Sequence, residues 1–302
     1  MFAPDGRTAY AVSTGANSVS AFAVDGRGGL RPLGTPVATG GEFAFSIAIA
    51  PGGRSLYVSN ADSGTVSAFG IDSDGTARLL GAPVPSGAGD SRGLAVSRDG
   101  RFLFVGHGRP NAAATDMVTT FAIGRDGTLR PVGEPVAGGG AGTGMTTSPD
   151  GRFLYVVSTN ADAVFGYAIR RTGALDQLPG SPFPAADFPE GVAMAPDGRH
   201  LYVTSPGPDR AHRGHSVSAF TVGADGVLTP VAGSPFTAGV GPVGVAVSID
   251  SRHLYVGNFD DSTLSAFTII PGGALREVSG SPFPTGGTAP AFQSVAVLPA
   301  RH

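Results

Sequence analysis

Short runs of alternating apolar and polar residues dominate this chain, and they recur on a fixed plan. Phe45-Ser-Ile-Ala-Ile-Ala50 reads as a short apolar strand, and Pro51-Gly-Gly-Arg54 as a tight turn. Ser55-Leu-Tyr-Val-Ser59 sets Leu56 and Val58 against Tyr57 and Ser59, which predicts a second strand. Thr65-Val-Ser-Ala-Phe-Gly-Ile71 sets Val66 and Ala68 against Ser67 and Phe69, a third. Asp72-Ser-Asp-Gly75 is a turn signal, and Ala77-Arg-Leu-Leu80 opens a fourth strand. No segment sustains a helical period.

The phrase joining the first two strands returns six times, as APDGRTAYAVS at 3–13, APGGRSLYVSN at 50–60, SRDGRFLFVGH at 97–107, SPDGRFLYVVS at 148–158, APDGRHLYVTS at 195–205 and SIDSRHLYVGN at 248–258. Its arginines are Arg7, Arg54, Arg101, Arg152, Arg199 and Arg252, so the steps are 47, 47, 51, 47 and 53 residues. A β-rich period of this size marks a repeat whose units are single supersecondary modules that bury their faces only by stacking. Four short strands per unit predict an all-β fold, a β-propeller of four-stranded blades. The chain opens at the turn between strands one and two and ends with Gln293-Ser-Val-Ala-Val-Leu-Pro299, a strand one without a blade. That segment is expected to complete the first blade. Residues 1–302 then form one propeller domain of six blades with N/C-terminal closure; the alternative is a truncated seven-bladed parent.

Composition narrows the chemistry. A net charge of −3 with 14% charged residues implies neither a nucleic acid nor a membrane partner. All 20 basic residues are arginine, which excludes Schiff-base lysine chemistry and a P-loop lysine. The absence of cysteine excludes thiolate nucleophiles, disulfides and cysteine metal sites. No apolar run approaches the roughly 18–20 residues of a spanning helix. A soluble, monomeric protein is expected, cytoplasmic or exported with its signal absent from this chain.

The repeat breaks its own pattern in two places. From the strand-two aromatic to the first core residue of strand three is 9 positions in four units, but 14 from Phe104 to Val118 and 15 from Tyr202 to Val217. These two long loops carry His107, Arg109, Asn111 and Asp116, then Asp209, Arg210, His212, Arg213 and His215. Binding loops on rigid scaffolds commonly depart from the repeat in this way. Just before strand one the equivalent positions hold Phe45, Arg92, Thr143, Glu190, Val243 and Gln293. In a propeller these positions look toward the central channel, where ligands normally bind. Glu190 is the one carboxylate among them and can act as a general base or pair with Arg92. His107 and His215 are candidate acid/base groups, with a loop-bonded structural histidine as the alternative for His107. Arg92, Arg109, Asn111, Arg210, Arg213 and Gln293 are candidate substrate-binding residues, the arginines suited to a carboxylate or phosphate. Arginines of the turn phrase are read as structural, holding neighbouring carbonyls or carboxylates.

The phrases PDGRFLYV at 149–156, Val217-Ser-Ala-Phe220 and Gly233-Ser-Pro-Phe236 resemble the YVTN-repeat branch of the lactonase-type β-propellers, which includes 6-phosphogluconolactonase and carboxymuconate cyclase propellers. The resemblance runs through all six units. It implies a lactonase-like enzyme acting on a small carboxylated or phosphorylated cyclic ester at the channel mouth. The alternatives are a non-catalytic scaffold that binds a protein or saccharide, and a diverged cyclase or isomerase of secondary metabolism. Two departures stand out. The family is usually seven-bladed, and its Pro-Arg-His before strand one is reduced to Ser91-Arg92-Gly93. No cofactor is expected; a divalent metal held by Asn60, Asn160, Asn258 and Glu190, as in six-bladed lactonases that bind such ions, is the lesser reading.

Overall fold

A computed structural model describes residues 1–108, 117–138, 144–207, 214–287 and 295–296. Among them the chain is all β, and its strands form six antiparallel sheets on one plan, the blades of a β-propeller. The second sheet is representative, with strands Ala44–Ile49, Ser55–Asn60, Thr65–Ile71 and Ala77–Leu79 in spatial order, and Val84–Pro85 pairing back onto the third. The strands divide between two compact units, the first three sheets in one and the last three in the other, with the turn Arg171–Ala174 counted with the first.

Strand two is deeply buried in the second to fifth sheets, which is why it reads there as a continuous apolar run rather than a clean alternation. Leu56, Tyr57 and Val58 are fully buried, as are Leu154, Tyr155 and Val156 and then Leu201, Tyr202 and Val203. Their side chains fill the space between one sheet and the next. Tyr10 and Val58 pack with Phe69, Leu56 and Ala77 between the first and second sheets; Tyr155, Leu201 and Phe220 do the same between the fourth and fifth.

Each buried tyrosine also needs a partner for its hydroxyl. Tyr10, Tyr57, Tyr155 and Tyr202 donate to the carbonyls of Gly75, Gly127, Gly226 and Gly273 at 2.8, 3.1, 2.8 and 3.0 Å. Every acceptor is the glycine of the turn between strands three and four in the following sheet. Those glycines have φ near +85°, and a Cβ at Gly226 would lie 2.6 Å from the Phe153 ring, so the turn demands glycine both for conformation and for space.

Strand four takes two forms. Arg-Pro-Leu-Gly-Thr-Pro-Val and Arg-Pro-Val-Gly-Glu-Pro-Val let it run unbroken as Leu30–Ala38 and Leu129–Ala137. Gly-Ser-Pro-Phe splits it in the last three sheets, where Ser181, Ser234 and Ser281 accept the strand-three N–H groups of Gly166, Ala219 and Ala266 at 2.9–3.0 Å. In the first sheet the position beside Thr8–Ser13 is taken by Met1–Ala3: Phe2 bridges Ala9, and Tyr10 N–H donates to the Met1 carbonyl at 2.8 Å. The expected closing strand at 293–299 lies, but for residues 295–296, outside the described residues.

Candidate functional site

The candidate site is built from a feature that strand one of the second, third, fifth and sixth sheets shares, a bulge at its N-terminal end. In the second sheet Ala44 pairs with Asn60 and Ile47 with Val58, so Phe45 and Ser46 share one partner residue. The register slips in the same way between Ser91 and Leu94 in the third sheet and between Pro242 and Gly244 in the sixth. In the fifth, Glu190 and Gly191 both engage Thr204, through its carbonyl at 2.9 Å and its hydroxyl at 3.1 Å. A bulge leaves one residue unpaired and re-aims its side chain, and such features recur beside active sites. The residues re-aimed are Phe45, Arg92, Glu190 and Val243.

Two devices fix each bulge. A strand-two hydroxyl stitches it to the next sheet: Ser59 accepts from Ser46 N–H at 3.0 Å and donates to the Arg92 carbonyl at 2.7 Å, and Thr204 donates to the Val243 carbonyl at 3.2 Å. A left-handed residue two positions earlier turns the chain into the bulge. That residue is Phe43 (φ 56°), Asp90 (φ 29°), Phe188 (φ 55°) or Gly241 (φ 70°). Three of the four are not glycine, and left-handed backbone costs such residues about 1–2 kcal/mol. Strain of this kind persists only where the surroundings over-determine it, and it clusters at functional sites.

In the first unit, Arg92 is half-buried with its guanidinium 5.2 Å from the centre of the Phe45 ring. Phe45 in turn stacks on Phe43 with centroids 6.2 Å apart and planes within 16°. Phe43 is 39% exposed. The result is a ladder of guanidinium and two rings, in which the arginine is pre-oriented by its aromatic support.

His107 ends strand two of the same sheet as Arg92. The imidazole is fully buried. Nδ1 lies 2.5 Å from the Gly89 carbonyl and Nε2 2.9 Å from the Thr119 hydroxyl. A carbonyl only accepts, so Nδ1 carries the proton and Nε2 accepts from Thr119. Burial lowers the pKa from its usual value, with the Gly89 hydrogen bond and the Asp90 charge opposing. Both ring nitrogens are spent within the protein, and the side chain latches the segment that leads into Arg92. Asn60 and Asn258 do the equivalent work in their own sheets. Asn60 Nδ2 donates to Ser67, whose hydroxyl holds the Thr39 carbonyl at 2.7 Å; Asn258 Nδ2 donates to Ser265, whose hydroxyl accepts from Gly239 N–H at 2.9 Å. These asparagines therefore serve the loops. Among the described residues no three His, Asp or Glu side chains group as metal ligands.

In the second unit, Glu190 is only 6% exposed, an unusual depth for a carboxyl group and one that burial alone makes costly. Its backbone is clamped from both sides: N–H by Thr204, and carbonyl so close to Gly144 that a Cβ there would lie 2.5 Å away. His215 precedes strand three of the same sheet, exposed, with its carbonyl accepting Ala238 N–H at 2.7 Å. Arg109, Asn111, Arg210, Arg213 and Gln293 lie outside the described residues. Phe43, the supporting hydroxyls and the left-handed steps were not singled out from sequence; only Gly241 among the left-handed residues carries a compositional signal.

Sheets, repeat plan and bulges define a β-propeller of the lactonase class. The sequence matches the family described as lactonase, 7-bladed beta-propeller over residues 1–89, 83–186 and 171–293, and the chain belongs to that family. Six sheets stand among its described residues where the family's description has seven blades. Solved structures agree in fold. Candidate 6-phosphogluconolactonases from Bacteroides uniformis and Bacteroides fragilis superpose with TM-scores of 0.80 and 0.78, each at 21% identity over 94% of this chain and 84% and 83% of theirs. The periplasmic gluconolactonase of Pseudomonas aeruginosa gives 0.77 at 22% identity, over 93% of this chain and 85% of its own. No curated protein matches the sequence.

Proposed function

We propose that this protein hydrolyses a small lactone that bears a carboxylate or phosphate. One observation carries the reading: in a chain of the lactonase family, one repeated bulge presents a supported arginine in one sheet and a buried carboxylate in another. Arg92, on its Phe43–Phe45 support in the first unit, is by its own chemistry a group for an anionic substituent. Glu190 takes a proton from water as the water oxygen attacks the acyl carbon. The tetrahedral intermediate collapses by breaking the acyl–oxygen bond of the ring, and the carboxyl of Glu190 returns the proton to the departing alkoxide. The product is an open hydroxy acid, which ionises near neutral pH and releases one proton to solvent. His215, exposed on the sheet that carries Glu190, is the second proton-transfer group. His107 positions the loop before Arg92.

The test is proton release in a pH-stat over a panel of sugar, phosphosugar and muconate lactones. Glu190→Gln is expected to abolish release, and Arg92→Gln to raise KM for anionic lactones more than for neutral ones, both with unchanged thermal unfolding. Full activity in Glu190→Gln would overturn the assignment of the base. Silence of the native protein across the panel would overturn the lactonase reading in favour of a binding scaffold or a cyclase.

A further inference from the structure

The strand-one-to-two turns carry a second, unassigned site. Where these turns meet the strand-three-to-four turn of the next sheet, the gap is filled according to the residue that follows the turn arginine. Phe102 occupies it against Gly173, Phe153 against Gly226 and His200 against Gly273; each approaches so closely that a Cβ on the glycine would clash. The phenylalanines also serve as platforms. Arg101 lies 5.1 Å over Phe102 and Arg152 4.8 Å over Phe153, and each guanidinium reaches a carbonyl of the next sheet's turn, Arg171 at 3.3 Å and Ala224 at 3.0 Å.

In the first sheet this residue is Thr8, which also packs on its glycine, since a Cβ at Gly75 would lie 2.4 Å from its Cγ2, but which is far smaller than a phenylalanine ring. Between the first and second sheets a cleft of about 710 Å³ opens at this place, well within the size range of small-molecule sites. Its floor is Thr8, Ala23, Leu33 and Ile71, and its rim carries Arg7, Arg31 and Arg54. Without an aromatic platform, none of these three guanidinium groups has a hydrogen-bond or ion-pair partner among the described residues. The rim carboxylates are already engaged. Asp5 accepts from Arg7 N–H, Asp74 from Thr76 N–H and hydroxyl, and Asp72 pairs with Arg78 at 3.8 Å. Hydrogen bonds from neutral groups leave Asp5 and Asp74 charged, so three rim carboxylates balance three rim arginines in number; what stays uncommitted over the apolar floor is the guanidinium donors.

We infer that this cleft binds a small organic anion, a carboxylate or phosphate monoester on a compact apolar body, with Arg7, Arg31 and Arg54 holding the anion and Leu33 and Ile71 receiving the body. Fork-shaped guanidinium donors suit such oxyanions, and three of them around one cleft favour a phosphate or dicarboxylate over a single neutral acceptor. The site is separate from the strand-one bulges and independent of the lactonase reading.

The experiment titrates phenyl phosphate into the protein by calorimetry, with neutral benzyl alcohol as control. Thr8→Phe restores the residue found after Arg101 and Arg152 and fills the floor; it is expected to weaken binding at least tenfold. Arg31→Gln, on an exposed strand, is expected to weaken it about fivefold, the scale of one charge-assisted contact. Lactone hydrolysis should be unchanged in both variants. Absence of phenyl phosphate binding to the native protein, equal binding of benzyl alcohol, or undiminished binding in Thr8→Phe would each overturn the assignment.

Discussion

Removing one hydroxyl tests the packing of sheet on sheet. Tyr155→Phe deletes an oxygen that is fully buried and donates to the Gly226 carbonyl at 2.8 Å. No water replaces it, because the ring remains and occupies the same volume. The variant loses a neutral hydrogen bond and leaves a buried carbonyl unsatisfied, together costing about 1–2 kcal/mol. At roughly 2–4 °C per kcal/mol for chains of 150–250 residues, and less for longer ones, the melting temperature is expected to fall by about 2–4 °C. The repeat supplies its own reciprocal. The third sheet has Phe104 where the others have tyrosine, and the equivalent turn glycine of the next sheet is Gly173, whose φ of 89° matches that of Gly226 at 83°. Phe104→Tyr is therefore expected to recover up to about 1 kcal/mol. Differential scanning calorimetry of the two single variants decides the matter. An unchanged Tyr155→Phe together with an unchanged or destabilised Phe104→Tyr would refute the view that these hydroxyls stabilise the stacking.

Two further predictions concern pH. Burial raises the pKa of Tyr10, Tyr57, Tyr155, Tyr167 and Tyr202 above the usual 10, that of Tyr57 to about 12. The unfolded chain then loses these protons first, so stability is complete below pH 10 and declines above it; ultraviolet titration should show these phenols ionising only as the protein unfolds. Burial also lowers the pKa of His107 and, less completely buried, His200 from 6.5. The unfolded imidazoles bind protons first on acidification, so their contribution is full above about pH 6.5 and is lost as pH falls below it. His107→Asn, which installs the residue used at Asn60 and Asn258, should flatten that acid slope; a slope equal to the native one would show that His107 is not buried neutral.

The blade plan was legible because turns and strand two obey local rules. Asp-Gly turns, alternating strands and the PDGR phrase carry their signal in consecutive residues. The same locality exposed Arg92 and Glu190, since alignment of the repeats alone makes them equivalent. What stayed hidden depends on neighbours that are distant in sequence. Burial of His107 arises from Gly89 and Thr119, 18 and 12 residues away, and nothing in the histidine's own phrase reveals it. The Phe43–Phe45–Arg92 ladder spans two sheets and rests on a left-handed phenylalanine, a conformation that sequence disfavours. Expectations for the turn arginines divided for a physical reason: Arg101 and Arg152 hold carbonyls because phenylalanine follows them, and Arg7 and Arg54 do not because threonine and serine follow.

This division of labour explains how one repeat can keep its fold and vary its chemistry. The bulge at strand one is held by backbone groups and by hydroxyls on strand two, none of which belongs to the re-aimed side chain. Phe45, Arg92, Glu190 and Val243 can therefore differ in size and charge while their main chains follow the same path. A position that is structurally specified but chemically free is where function can be placed without loss of stability, and two of the four occupants are ionisable. Strand two is the converse: Tyr155 or Leu154 cannot change without opening the space between sheets, so those positions report packing and nothing else. Specificity for one lactone over another should then follow substitutions at the bulge positions and at Phe43, and should be insensitive to conservative changes in strand two.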